Sequence, residues 1–310
     1  MMDTDSFSTE FLALSLPPIL IGCLAALACA LPGNFLLLRR QALIGDAISH
    51  VVLPGIVGGC QLTGALTSGP RMLGAAAAAV IAVALIQVVQ RVGNIEPGAA
   101  MGVVFTTMFA GGVLLLEQSD TSNVHLDVQH ALYGNLESLI WLDATGWHSL
   151  IDPVALSWLP AELTRMAMVF IFVVAFIALF WRPLALSTFD EGYARTVGIP
   201  VTILGLALVI VSAIAAVAAF DAVGSIIVIA MFICPPAGAR LMTDRLLVQV
   251  WLSSGFAVLS AILGYVLAGY GPLWLGEEDA VSAAGMIATV SGAILAVAAL
   301  KGAKRRRHSG

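Results

Sequence analysis

Charge is what this chain has least of: Asp, Glu, Lys and Arg supply 11% of its 310 residues, against about 25% in a soluble domain. Hydrophobic residues supply 60%, and the mean hydropathy is +0.99. No water-soluble core hides that much apolar surface. A bilayer solvates it, and helices satisfy their own backbone groups there. Cysteine is sparse as well. Cys23, Cys29, Cys60 and Cys234 all fall in apolar stretches, which excludes a disulfide framework or zinc-ligand spacing and leaves small buried hydrophobes. The first ten residues, MMDTDSFSTE, lack the basic stretch of a cleavable signal peptide. No Gly-x-x-x-x-Gly-Lys-Ser/Thr occurs, so the chain does not bind ATP by that route. No His-Glu-x-x-His or equivalent set occurs either, which argues against an intramembrane metalloenzyme.

What is there is a series of long apolar runs. A span needs about 20 mainly apolar residues, and runs of that kind lie near 11–31, 35–62, 72–92, 99–116, 166–182, 201–219, 222–240, 247–270 and 281–300. The fold class expected is an all-α integral membrane protein. It is a polytopic bundle of about 8–9 transmembrane helices forming a single domain over 1–310, with the second and seventh spans interrupted by Gly and Pro. The positive-inside rule orients it. With nine spans and the C-terminus inside, Arg39, Arg40, Arg91, Arg182, Arg195, Arg240, Arg245 and the basic tail 301–310 fall on the cytoplasmic side. The acidic residues 1–10, most of loop 117–164, and Glu277, Glu278 and Asp279 fall outside. The expected location is a cell membrane crossed many times, with the N-terminus outside and the C-terminus cytoplasmic.

The stretch Leu38–Gly59, LRRQALIGDAISHVVLPGIVGG, carries the chemistry. Asp46 and His50 stand four residues apart, on one helix face, where carboxylate and imidazole reach one ion. Ionisable side chains inside a span mark a functional site by default. Pro54 cannot donate to the carbonyl of His50, so the helix is expected to open beside the pair. Gly55, Gly58 and Gly59 permit close approach of neighbouring helices. Transporters build ion sites at such breaks; the bland alternative is a structural Asp–His hydrogen bond in a kinked helix.

Here the sequence resembles a known family. Arg-Arg-x-Ala-Leu-x-Gly-Asp-Ala-x-Ser-His-x-Val-Leu-Pro-Gly at 39–55 is similar to the motif of the membrane permease subunits of bacterial ABC importers for manganese, iron and zinc. The resemblance runs over about 34–300. It implies that Asp46 and His50 line the path and bind the transported Mn, Fe or Zn, with the His-x-x-Leu-Pro-Gly form leaning towards manganese and iron. No permanently bound cofactor is implied.

Thr188–Pro200, TFDEGYARTVGIP, reads as a short surface helix. Thr188 and Glu191 make a capping box, Gly198 and Pro200 end the helix, and Phe189, Tyr193 and Val197 form an apolar stripe. Such a helix lies on lipid or fits a partner's groove. Phe-Asp-x-x-x-Ala-x-x-x-Gly resembles the family's coupling helix, which implies that Phe189, Asp190, Glu191, Tyr193, Ala194 and Gly198 dock on an ATPase. Phe220–Leu246 resembles the family's late span. Pro235–Pro236 should interrupt it, Met231 and Cys234 read as packing before soft ligands, and Asp221 reads as an outer gate or a helix N-cap. In loop 117–164, His125, Asp127, His130 and His148 are ordinary loop residues or a metal-capture set. Leu132–Asn135 resembles a family element. The length of 138–164 resembles the second permease of two-permease systems.

The resemblance implies a non-catalytic subunit with a separate cytoplasmic ABC ATPase dimer, a second permease copy or paralogue, an extracytoplasmic metal-binding protein, and surrounding membrane lipid. No nucleic acid is expected. The rival reading is an ion-coupled secondary transporter working without an ATPase.

Overall fold

In the computed structural model, residues 11–63, 68–118, 136, 139, 141, 158–275 and 281–308 are described. Secondary structure among them is helical. A π-helical turn, Phe11–Ser15, leads into α1 (Leu16–Leu38), followed by α2 (Ile44–Thr63), α3 (Ser68–Gly93) and α4 (Pro97–Gln118). The loop expected over 117–164 is entered by helix at both ends: α4 runs to Gln118, and the next helix is α5 (Ala161–Leu179). Two short helices follow, α6 (Trp181–Phe189) and α7 (Glu191–Thr196), and then α8 (Val201–Val223), α9 (Ser225–Met242), α10 (Leu246–Leu275) and α11 (Ala283–His308).

Eight of these helices are long and apolar enough to cross a membrane. The ninth leg, α2, is not among them, because Asp46 and His50 dilute its apolar run. It nevertheless runs antiparallel to α3, with Gly55, just past its middle, against Gly74, and Ala47 and Val51 near Ala82 and Ile86 towards its start. Among the described residues, these eight and α2 therefore make nine legs.

Helices α1 and α8 form its centre. From α8, fifteen side chains or backbones are buried, including Leu208, Val211, Ala215, Ala219 and Val223, as expected of a helix apolar all round. Helices α2, α3 and α4 pack together on one side and α9, α10 and α11 on the other, while α5 closes against α1 and α8. The turns 39–43, 94–96 and 243–245 and the α6–α7 segment 180–200 share one end of the bundle. That end carries Arg39, Arg91, Arg182, Arg195, Arg240 and Arg245, and is called the basic end here.

Three local expectations are corrected. The prolines do not interrupt their spans: α2 continues through Pro54 and α9 through Pro235 and Pro236. Small residues opposite make room, since a Cβ at Gly112 of α4 would meet Pro54 at 2.6 Å and one at Gly33 of α1 would meet Pro236 at 3.2 Å. In membranes the freed backbone groups are re-satisfied by such close neighbours. The second span starts at Ile44, not near 35, because the chain turns at 39–43 with Arg40 at φ 60°. The segment 188–199 is not one helix. Thr188 belongs to α6 and its hydroxyl bonds the Leu184 carbonyl, while Asp190 caps α7 by accepting the Tyr193 N–H at 2.8 Å. The predicted end holds. Gly198 at φ 85° receives the chain, with Ile199 N–H bonded to the Ala194 carbonyl and Gly198 N–H to the Arg195 carbonyl, a Schellman closure.

Candidate metal site and the helices that hold it

Asp46 lies in the first turn of α2 and His50 one turn on. The pair therefore sits towards the basic end of its helix, short of the middle marked by Pro54. A carboxylate in a first helical turn is stabilised by the free N–H groups there. His50 Nε2 stands 3.5 Å from Asp46 Oδ1, and the two side chains are 41% and 30% exposed. That separation is at the outer limit of a hydrogen bond. The pair is thus loosely joined and open on one face.

Helix α4 fixes the imidazole. The His50 ring stacks on Phe105, with centroids 5.3 Å apart and planes at 18°, and meets Phe109 edge-on at 5.6 Å and 78°. Phe105 and Phe109 are themselves four residues apart, so one face of α4 makes a two-ring bracket. The sequence reading missed this bracket, although the i, i+4 aromatic spacing was there to see. Below it, Pro54 packs on Gly112. On the far side, a Cβ on Gly55 would meet the Gly74 carbonyl at 2.6 Å and Ala78 at 2.7 Å. Of the three glycines assigned to close approach, Gly55 and Gly59 meet Gly74, whereas Gly58 faces open space. Among the described residues, no group of three or more His, Cys, Asp and Glu stands close enough to hold a metal. Asp46 and His50 offer two candidate donor groups, not a closed cage.

The other proposed elements are placed as follows. Ala194 is buried, while Phe189, Tyr193 and Val197 are more than half exposed at 57%, 56% and 56%, so the apolar stripe faces outward. Glu191 and Arg195 form an exposed pair at 3.6 Å. Behind them Arg39 donates to the hydroxyls of Thr188 (3.1 Å) and Ser187 (2.7 Å), tying the end of α1 to α6. Burial pushes the Arg39 pKa below its ordinary value, and Glu191 acts against that shift. Asp221 is no N-cap, because it lies in the last turn of α8 and Gly224 caps α9. It accepts from Arg165 of α5 at 2.6 Å, far from the basic end. Met231 is fully buried in the core and Cys234 partly so. His125, Asp127, His130, His148 and residues 132–135 lie outside the described residues.

A helical bundle with eight helices long and apolar enough to cross a membrane defines a multi-pass membrane protein. The chain belongs to the ABC 3 transport family, whose model matches residues 12–144 and 154–301. It is 38% identical over 282 residues to the manganese transport system membrane protein MntD of Bacillus subtilis, covering 91% of this chain and 90% of that one. It is 36% identical over 280 residues to the zinc transport system membrane protein TroD of Treponema pallidum, covering 90% and 71%. Its fold is similar to that of PsaBC from Streptococcus pneumoniae in complex with Fab, with TM-score 0.73, 23% identity, and coverage of 96% of this chain and 95% of that one.

Proposed function

We propose that this chain is the membrane-spanning permease of an ATP-driven importer for a divalent transition metal, manganese first and iron or zinc as alternatives. The Asp46–His50 pair carries the proposal. A cation bound to an imidazole nitrogen and a carboxylate oxygen at about 2.1 Å each, with its ligands 3.5 Å apart, subtends roughly 110°. The observed separation therefore suits one ion bridging the pair, with no movement of α2. Carboxylate and imidazole together suit manganese, iron and zinc. Two ligands bind such an ion incompletely, and incomplete binding favours onward release. A second permease, identical or paralogous, bringing its own pair to the same axis would complete the shell. The 3.5 Å separation is long for a purely structural Asp–His bond, and the support from two aromatic rings keeps the imidazole in place when no ion is bound.

In this reading the basic end is cytoplasmic, the N-terminus is outside, and the exposed stripe of Phe189 and Tyr193 docks on a separate ATPase dimer. Asp190 and Gly198 define the ends of that docking element. An extracytoplasmic binding protein delivers the ion to the opposite end. Support for sidedness is the collection of arginines at one end: cysteines at Ser119 and Glu278 should label from outside and one at Ser309 only from inside.

The deciding experiment reconstitutes the chain with its ATPase in vesicles. Uptake of radioactive manganese should need ATP inside the compartment holding the ATPase. Uptake driven by a proton or sodium gradient with no ATPase present would establish the secondary-transporter reading instead.

A further inference from the structure

At the basic end, a cavity of about 280 Å³ lies within the single chain, between α2, α3, α4, the α6–α7 corner and α8. Its size is at the small end of small-molecule sites. The charges around it are unbalanced. Arg39, Arg91 and Arg195 line it against one carboxylate, Glu191, and the amides of Gln87 and Gln90 stand beside them. Glu191 is shared, being paired with Arg195 at 3.6 Å and acting electrostatically on Arg39. The hydroxyls of Ser187 and Thr188 orient Arg39 without neutralising it. Its third nitrogen, Nη1, lies 3.1 Å from where a Cβ on Gly205 would stand, so the absence of a side chain there gives the guanidinium its room. Arg91 forms no ion pair among the described residues. The inner wall is apolar, built by Val83, Met101 and Phe105.

This pattern opposes a metal cation, because a divalent ion would face a net excess of guanidinium charge. It matches an anion whose oxygens take forked N–H donors and whose remaining part meets an apolar wall. Basic pockets between helices at the level of lipid headgroups are suited to that chemistry. We propose that this cavity is a binding site for a phosphate group, held by Arg39, Arg91 and Arg195 with Gln87 and Gln90. The phosphate comes either from an anionic phospholipid or from a small soluble phosphate ester. Phe105 is both the inner wall of this cavity and the ring stacked on His50, so a bound phosphate and the Asp46–His50 pair share one side chain. The proposal stands apart from the transport reading, since it requires only that the anion bind.

The test uses the purified full-length chain in a neutral detergent, with its unfolding followed as phosphatidylglycerol, phosphatidylcholine or glycerol phosphate is titrated in. Phosphatidylglycerol should raise the melting temperature saturably and phosphatidylcholine should not. A matching shift with glycerol phosphate assigns the site to soluble esters as well, and a shift with phosphatidylglycerol alone assigns it to lipid. Loss of one charge-assisted bond in Arg91→Gln or Arg195→Gln should weaken the apparent affinity about tenfold. Arg240→Gln, at the same end but outside the cavity, should leave it unchanged. Arg91 is exposed, so Arg91→Gln should fold even where another variant does not. Equal shifts with phosphatidylcholine, no shift with either phosphate, or an affinity unchanged in Arg91→Gln would overturn the assignment.

Discussion

The two flanks of the bundle are held together in different ways. On the α9–α11 side, glycine approaches at Gly264 (to Ile287) and Gly302 (to the Leu241 carbonyl) are supplemented by large buried side chains: Ile227, Met231, Phe232 and Ile287 are all 1% exposed or less. On the α2–α4 side, backbone meets backbone through Gly55, Gly59 and Gly74, and a proline ring seats on Gly112. Without a hydrophobic drive between helices in lipid, close approach of small residues is what associates them. The leg that carries Asp46 and His50 meets α3 through small residues further along the helix, at Gly55 and Gly59. Its position is set by seams that also leave the Asp46 and His50 side chains partly exposed. If the Asp46–His50 pair binds the ion, as proposed, damage to stability and damage to function should separate between the flanks.

The separation can be broken at Ile287, Gly74, Asp221 and Tyr193, in falling order of expected effect on stability. Ile287→Ala, opposite Gly264 in the α10–α11 contact, should cost about 2–5 kcal/mol by leaving a cavity. Metal uptake per folded molecule should nevertheless stay near wild type. Gly74→Leu should cost about 1–3 kcal/mol by overpacking, yet abolish uptake per folded molecule, because it pushes α2 away from α3. Equal damage to uptake in both variants would erase the distinction. Asp221→Asn removes the charge facing Arg165 across α5 and α8 and should cost about 1–2 kcal/mol, read as a lower melting temperature. The exchange Arg165→Asp with Asp221→Arg should recover part of it. Tyr193→Asp places a charge on a surface already exposed, so stability should move by about 0.5 kcal/mol or less. ATP hydrolysis should then run uncoupled from uptake, and normal uptake at normal expression would remove α7 from the coupling role.

Much of this was legible from residue spacing. Period and length marked the apolar legs, and the Asp46–His50 interval placed both side chains on one face. Gly198 announced the end of α7 through the backbone conformation that only glycine adopts cheaply. Other features depended on partners distant in sequence. Pro54 does not open α2 because Gly112, on another helix, receives its ring, and no rule local to residues 50–54 contains that fact. The N-cap fell on Asp190, not Thr188, because Thr188 is drawn into α6 by the Leu184 carbonyl and by Arg39. Arg165–Asp221 and Asn34–Gln249, the latter a bond of 3.1 Å inside the core, are contacts between polar residues whose separation in sequence carries no periodic signal. The bracket of Phe105 and Phe109 was readable as a pair, but its object, His50, was not.

The central claim is that Asp46 and His50 bind the transported ion directly. The most direct measurement is radioactive manganese uptake per correctly assembled complex for Asp46→Asn and for His50→Ala, alongside basal ATP hydrolysis. Asp46→Asn keeps size and hydrogen bonding while removing the charge, and His50→Ala removes the nitrogen ligand while leaving Pro54 seated. Each variant should assemble, hydrolyse ATP at close to the basal rate, and take up no manganese. Wild-type uptake in Asp46→Asn, or lower yield and melting temperature with transport retained in the surviving protein, would contradict that claim.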